Sequence, residues 1–387
     1  MADGNVVTPP TLAIEEAGTL PHVSWQQALC WRMGQHHLLT RATPAEVLRV
    51  AGDICGLHAQ LMSSAELSLW ACIDGLEREA VQRALWTDRT LVKLWAMRGT
   101  LHLIPAADLG QWVAALGTYT GYGNTYPKMD VLASAVDAAL AGQPLTREEL
   151  ATEVERRTGA PEYAEWVRFS WGSYLKPISF RGQLCFAASE GGRIRFTTPA
   201  TWLAGELDRP DPTDALRAIT RRYLRAYAPA TAQDLARWWV GGTPSKGKRM
   251  LAALGEEAIE IAVEGERAWV LATDLPQILS TEPSNAARLL PAFDPWTIGA
   301  SRTAAAMLDP IHKARVYRAQ GWISPVVLVN GRMAGVWKHT RKGRRLLVEV
   351  DPFDPLPDWA HGEIEAEVER LAMFLGRDVE LELRPVR

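Results

Sequence analysis

The residues with the clearest chemical potential lie in Gly56-Leu57-His58-Ala59-Gln60. His58 and Gln60 are two apart. In an extended segment both point to one side while Ala59 packs to the other. An imidazole beside a carboxamide can hold one water molecule between acceptors and donors. The plainer reading makes His58 a satisfied structural histidine beside a helix end and Gln60 a helix-terminal cap. Other polar residues point less clearly to a site. Asp294 and Arg302, eight apart around an FDPW segment, either border the site or form a structural pair. His102 reads as a packing residue. His36 and His37 are neighbours that diverge by about 100° on a helix, so no metal site is expected.

Elements must present that pair. Ser24 caps a helix ending near Thr40, and Thr43-Pro44-Ala45-Glu46 opens a second through a capping box, reaching about Cys55. Helices are expected over 66–73 and 77–85. Residues 94–104 (LWAMRGTLHLI) alternate around Arg98-Gly99-Thr100 as a hairpin does. Helices followed by a hairpin are the layout of a winged helix. It recurs with Thr146 capping a helix to Arg157, a helix over 166–181, and a hairpin over 184–197 turning at Gly191-Gly192. A third copy has helices over 214–227, 231–240 and 245–254, then a hairpin over 259–271 turning at Glu264-Gly265. After residue 286 the chain turns β-rich. Strands over 326–329, 333–338 and 346–350 are split by Asn330-Gly331 and by the basic turn 341–345. A helix over 361–375 and a strand over 379–383 complete a barrel-like domain.

The expected class is therefore α+β. The expected division is a flexible arm over 1–23, winged-helix units over 24–128, 129–210 and 211–285, and a β-domain over 286–387. At 387 residues the chain is too long for one ordinary core. A net charge of −3 gives no global attraction to nucleic acid, so any DNA contact must come from local clusters. Arg341, Lys342, Arg344 and Arg345 at a hairpin tip form the best cluster. Lys246, Lys248 and Arg249 open a helix whose amides also favour phosphate. Arg193 and Arg195 lie on a strand. The plainer reading of each is solvated surface. Cys30, Cys55, Cys72 and Cys185 form no C-x-x-C pair and read as free buried thiols of a reducing cytosol. Residues 1–23 lack a signal-peptide pattern, no apolar run reaches membrane-spanning length, and a cytoplasmic monomer is expected. Most of the sixteen Trp should be core anchors.

Several segments together resemble the AlkZ-type, YcaQ-like family of bacterial alkylpurine DNA glycosylases. They are HAQ at 58–60, residues 94–104, LLPAFDPWTIGASR at 289–302, and WISPVVLVNGRMAGVW followed by LLVEVDPF. The resemblance runs over nearly all the chain from Ser24. It implies winged helices curved into a C, closed by a C-terminal β-domain, with duplex DNA in the concave face and no cofactor. It also implies a catalytic triplet that begins with glutamine. His58 departs from that, and a histidine-first triplet is similar to the self-resistance subgroup met beside biosynthesis of DNA-alkylating antibiotics such as hedamycin. The triplet carries no carboxylate, whereas glycosidic cleavage usually needs an acid for the leaving group. An N7-alkylated guanine already carries positive charge and needs none. Neutral His58 would then accept the water's proton, with an ordinary pKa near the working pH, and activity would fall in acid. The rival reading is a winged-helix transcriptional regulator without catalysis.

Overall fold

The computed structural model describes residues 20–121, 128–169, 172–239, 242–343 and 345–386. Most of the expected arm, Arg344 and Val240 lie outside these. A short strand β1 (His22–Val23) precedes helix α1 (Trp25–Gln35), whose Ser24 and Gln27 form a capping box. The helix stops short of Thr40 because His37 takes φ 56°. After it, α2 (Val47–Asp53), β2 (Leu57–His58), α3 (Met62–Cys72) and the short α4 (Ala80–Gln82), extended by a wide turn to Thr87, lead into the hairpin β3 (Leu91–Trp95) and β4 (Leu101–Pro105). Strand β2 pairs antiparallel with β4, giving the order β2-β4-β3.

Helix α5 (Leu109–Gly117) leads on. A like succession follows: α6 (Met129–Leu140), β5 (Leu145–Thr146), α7 (Arg147–Thr158), α8 (Pro161–Arg168), α9 (Lys176–Phe180), β6 (Cys185–Glu190) and β7 (Arg193–Thr197). Its sheet order is β5-β7-β6. The helix expected over 166–181 is thus two helices. Gly172 breaks it at φ 65°, where a Cβ would meet the Trp95 ring at 2.6 Å. After α10 (Pro199–Leu203), the third succession is α11 (Pro212–Tyr227), α12 (Ala232–Trp239), α13 (Pro244–Ala252), β8 (Ala258–Val263) and β9 (Glu266–Leu271). Ala230 bridges Trp269 on one edge of this hairpin, and β1 adds in parallel to β8 on the other. The end of the supposed arm is therefore tied into the third sheet. Thr231 and Asp234 cap α12 reciprocally, at 2.7 Å between side chains.

Helix α14 (Leu275–Leu279) leads to the C-terminal part: β10 (Ala287–Leu290), α15 (Pro295–Gly299), α16 (Lys313–Val316), β11 (Val326–Val329), β12 (Arg332–Lys342), β13 (Arg345–Pro352), α17 (Asp358–Leu375) and β14 (Asp378–Leu383). Asn330 and Gly331 both take positive φ, 49° and 79°, which matches the twist of the β11–β12 hairpin. The five strands run β10-β11-β12-β13-β14 in a curled half-barrel. It stays open because β10 and β14 do not pair; α17 packs against both.

Two apolar cores form. One gathers the second and third hairpins with their helices, including Trp112, Trp238 and Trp239. The other is shared by the first unit and the C-terminal sheet: Leu57, Ala59 and Leu103 lie in one cluster with Leu289, Trp296 and Val348. The first unit and the β-domain, expected as separate bodies, are thus bound by a common interior. All four cysteines are free and buried.

Candidate functional site

Strand β2 is preceded by Cys55 at φ 63° and Gly56 at φ 86°. A Cβ on Gly56 would meet Ile104 Cδ1 at 2.6 Å, so only glycine fits this turn. The Tyr227 hydroxyl donates to the Ile54 carbonyl at 2.9 Å and holds the turn from the far side. His58 then lies opposite His102, and the Ala59 amide donates to the Leu101 carbonyl at 2.7 Å. Ala59 is fully buried and Gln60 is exposed, while His58 is buried beside Ala59.

His58 is 6% exposed. Its ring stacks on Phe293 at 5.0 Å and 16°, and meets His102 edge-on at 5.5 Å. His58 Nδ1 is buried with no hydrogen-bond partner among the described residues. A buried imidazole nitrogen left this way is costly unless water or a ligand meets it. Burial first, and then the Arg98 guanidinium, push the His58 pKa down to about 3. The sequence reading of a base titrating near neutral pH is corrected here: desolvation keeps this imidazole neutral far into acid. Gln60 makes no side-chain hydrogen bond among the described residues, so its amide is free to meet water or a nucleotide.

His102 packs, as expected, but against His58 itself. Its Nδ1 faces the Thr100 carbonyl at 3.0 Å, and a carbonyl can only accept, so Nδ1 carries the proton. That leaves Nε2 to accept from Arg98 Nη2 at 3.5 Å. Arg98 takes φ 56° in the β3–β4 turn and also donates to the Trp238 carbonyl. It ties the first hairpin to α12.

Asp294 and Arg302 do not pair. The Asp294 carboxylate is buried, accepts from Ser68 Oγ at 2.7 Å and caps α15 by accepting from the Trp296 amide at 2.9 Å. Burial lifts its pKa to about 6 against those two hydrogen bonds. Arg302 stacks on Tyr317 with its guanidinium 3.1 Å from the ring centre. Neither makes a hydrogen bond, ion pair or ring contact with His58 or Gln60 among the described residues. Phe293, one residue before Asp294, is the contact the sequence did not flag; its φ of 57° points at an unusual turn only once the backbone is known. Trp322, 41% exposed, meets Phe293 edge-on at 5.0 Å.

Of the basic clusters, Arg341, Lys342 and Arg345 are exposed at the tip of the β12–β13 hairpin, and none has a carboxylate partner among the described residues. Lys248 and Arg249 are exposed on α13. Lys246 is half-buried, with Nζ 5.1 Å over the Tyr119 ring. Gly247 lets α13 cross α12 closely, since a Cβ there would strike the Ala232 carbonyl. Arg195 is taken by Glu190 at 3.3 Å. His36 Nε2 donates to the Ala226 carbonyl at 3.0 Å and His37 meets Asp53 at 2.9 Å, so the two diverge. Among the described residues, no cluster of three metal-type ligands occurs and no helix is long and apolar enough to cross a membrane.

Comparisons with known proteins identify the family. A model of the family described as DNA glycosylase AlkZ-like matches residues 51–374. The interstrand DNA cross-link repair glycosylase of Streptomyces sahachiroi is 35% identical over 376 residues, covering 94% of this chain and 99% of the relative. The solved structure of Streptomyces sahachiroi DNA glycosylase AlkZ superposes with a TM-score of 0.84 at 33% identity, covering 94% of this chain and all of that one. These relatives are hydrolases acting on N-glycosyl bonds, which sets aside the reading as a regulator without catalysis. The chain belongs to the AlkZ-like family of DNA glycosylases.

Proposed function

We propose that this enzyme is a monofunctional glycosylase that removes cationic N7-alkylguanine from duplex DNA and leaves an abasic site. One observation carries the reading: a buried imidazole nitrogen without a partner stands two residues from a free amide, and the pair contains no acid. Water held by His58 and Gln60 attacks C1′. The C1′–N9 electrons pass to the base and cancel its positive charge. The water's proton leaves through the acceptor that held it. An imidazole depressed this far is a weak base, so His58 chiefly orients the water until the oxocarbenium-like state makes its proton acidic.

The relative's repair of interstrand cross-links supports bulky or cross-linked antibiotic adducts as the physiological substrates. In the same reading, the three successions of helix, strand, helices and hairpin are winged-helix units set in a C around the duplex. The exposed cations Arg341, Lys342, Arg345, Lys248 and Arg249 meet phosphate. The enzyme works as a monomer without a cofactor, in the cytoplasm and on the nucleoid when bound. The test is a duplex carrying one N7-methylguanine or one bulky N7 adduct, followed by alkali. Strand breaks are expected with both, the bulky adduct at least as fast, and with uracil much more slowly. No breaks on any N7-alkylated duplex overturns the reading.

A further inference from the structure

Beside the catalytic pair lies a cleft of about 920 Å³ between the start of α3 and the C-terminal sheet. Leu61, the residue after Gln60, lines it, as do Ala292, which precedes Phe293, and Trp322. The volume is that of a site for a drug-sized molecule and far exceeds the needs of one methyl group. Two of its three carboxylates are neutralised from within, and the third, Glu66, accepts from the Gln82 amide. Glu349 pairs with Lys338 at 2.9 Å and Asp351 with Arg315 at 2.7 Å. An exposed indole therefore faces a cleft whose acidic groups are already satisfied. Arg78 and Arg318 stand exposed on its rim, without a carboxylate partner among the described residues.

The chemistry of the lesion says what can reach this cleft. N7 lies on the major-groove edge of guanine. It is joined through C8 to N9, so a substituent on N7 begins close to the bond being cut. A group extending from N7 leaves the His58–Gln60 pair where Leu61 and Ala292 begin the cleft. Resting on the function proposed above, we propose that this cleft receives the non-base part of a polycyclic aromatic N7 adduct. Trp322 provides its stacking face and is the residue that distinguishes aromatic adducts from small ones. Trp322 is itself set by the Arg318 amide donating to its carbonyl at 2.8 Å, and its ring is braced edge-on by Phe293.

The experiment uses the full-length protein and two duplexes, one with a single N7-methylguanine and one with a single N7-guanine adduct of a polycyclic aryl epoxide. Single-turnover excision and equilibrium binding by anisotropy are measured for the wild type, Trp322→Ala and Trp322→Phe. Trp322→Ala should slow excision of the aromatic adduct by about 10- to 100-fold, the loss expected for one stacking contact, and weaken its binding in step. Excision of N7-methylguanine should stay within about two-fold, and Trp322→Phe should recover most of the loss. Equal losses on both substrates, or none on either, overturn the inference. If the wild type cleaves neither duplex, the proposed reaction falls, and the binding preference still decides the cleft. Loss of that preference in Trp322→Ala sustains the assignment; retention of it overturns it.

Discussion

The stack of His58 on Phe293 makes a sharp prediction for the pH profile. Burial and Arg98 hold the imidazole at about 3, roughly 3.5 units below its usual value, or about 5 kcal/mol against the imidazolium. Bound phosphates would raise it. Even a rise of about two units leaves roughly three-quarters of His58 neutral at pH 5.5. An imidazole of ordinary pKa would be only about one-tenth neutral there, and the rate would fall about ten-fold from pH 7.5. The wild-type rate on N7-methylguanine should therefore change less than about two-fold between pH 7.5 and 5.5. Phe293→Ala uncovers the ring and lets water in, so an acid limb should appear with a midpoint near 6. Single-turnover excision, corrected for spontaneous base loss and with folding checked by circular dichroism, measures both. The reasoning is refuted by a wild-type acid limb near 6.5 that His58→Gln removes, or by a Phe293→Ala profile as flat as the wild type's.

Gln60→Ala should lower the single-turnover rate by about 10²–10³, a loss of about 2–4 kcal/mol, with little change in DNA affinity; a wild-type rate would remove Gln60 from the reaction. Asp294 carries a carboxyl raised to about 6 from 3.8, so the native state gains stability as pH falls from 6 towards 3.8 and bears a penalty of up to about 3 kcal/mol above 6. Asp294→Asn can keep the cap on α15 and loses the charge. Its urea-unfolding free energy relative to the wild type should be more favourable at pH 8 than at pH 4.5, and a pH-independent difference would contradict the buried-charge account. Replacing Arg341, Lys342 and Arg345 together by Gln should weaken binding to any duplex and reduce the slope of log K against log salt by up to about 2.7. An unchanged slope would place the phosphate contacts elsewhere.

The local features were the legible ones. Residue alternation and the pairs Gly191-Gly192, Glu264-Gly265 and Asn330-Gly331 located the hairpins, because turn chemistry is written in adjacent residues. Thr146 with Glu149 marked a helix start for the same reason. His58 and Gln60 stood out through spacing. What surrounds them did not. Phe293 reaches His58 from 235 positions along the chain, and no local pattern encodes such a meeting. The depressed imidazole follows from that cover, so its titration was also misread. Asp294 and Arg302 looked like partners by spacing alone, yet a nearby amide and Ser68 satisfied the carboxylate first. The helix over 166–181 failed at Gly172, whose role depends on the Trp95 ring brought up from the first hairpin.

The common interior of the first unit and the C-terminal sheet has a consequence for how the enzyme is made. Domains generally fold in order as the ribosome delivers them. Here the strand that bears His58 is delivered more than two hundred residues before Phe293, which covers it. Until Leu289, Phe293 and Val348 have emerged, the core around β2 lacks its C-terminal half and the His58 ring lacks its stacking partner. A nascent chain that ends before Phe293 therefore carries the pair without that ring. An enzyme that cuts bases from the genome thus acquires the cover over His58 only after Phe293 has been delivered.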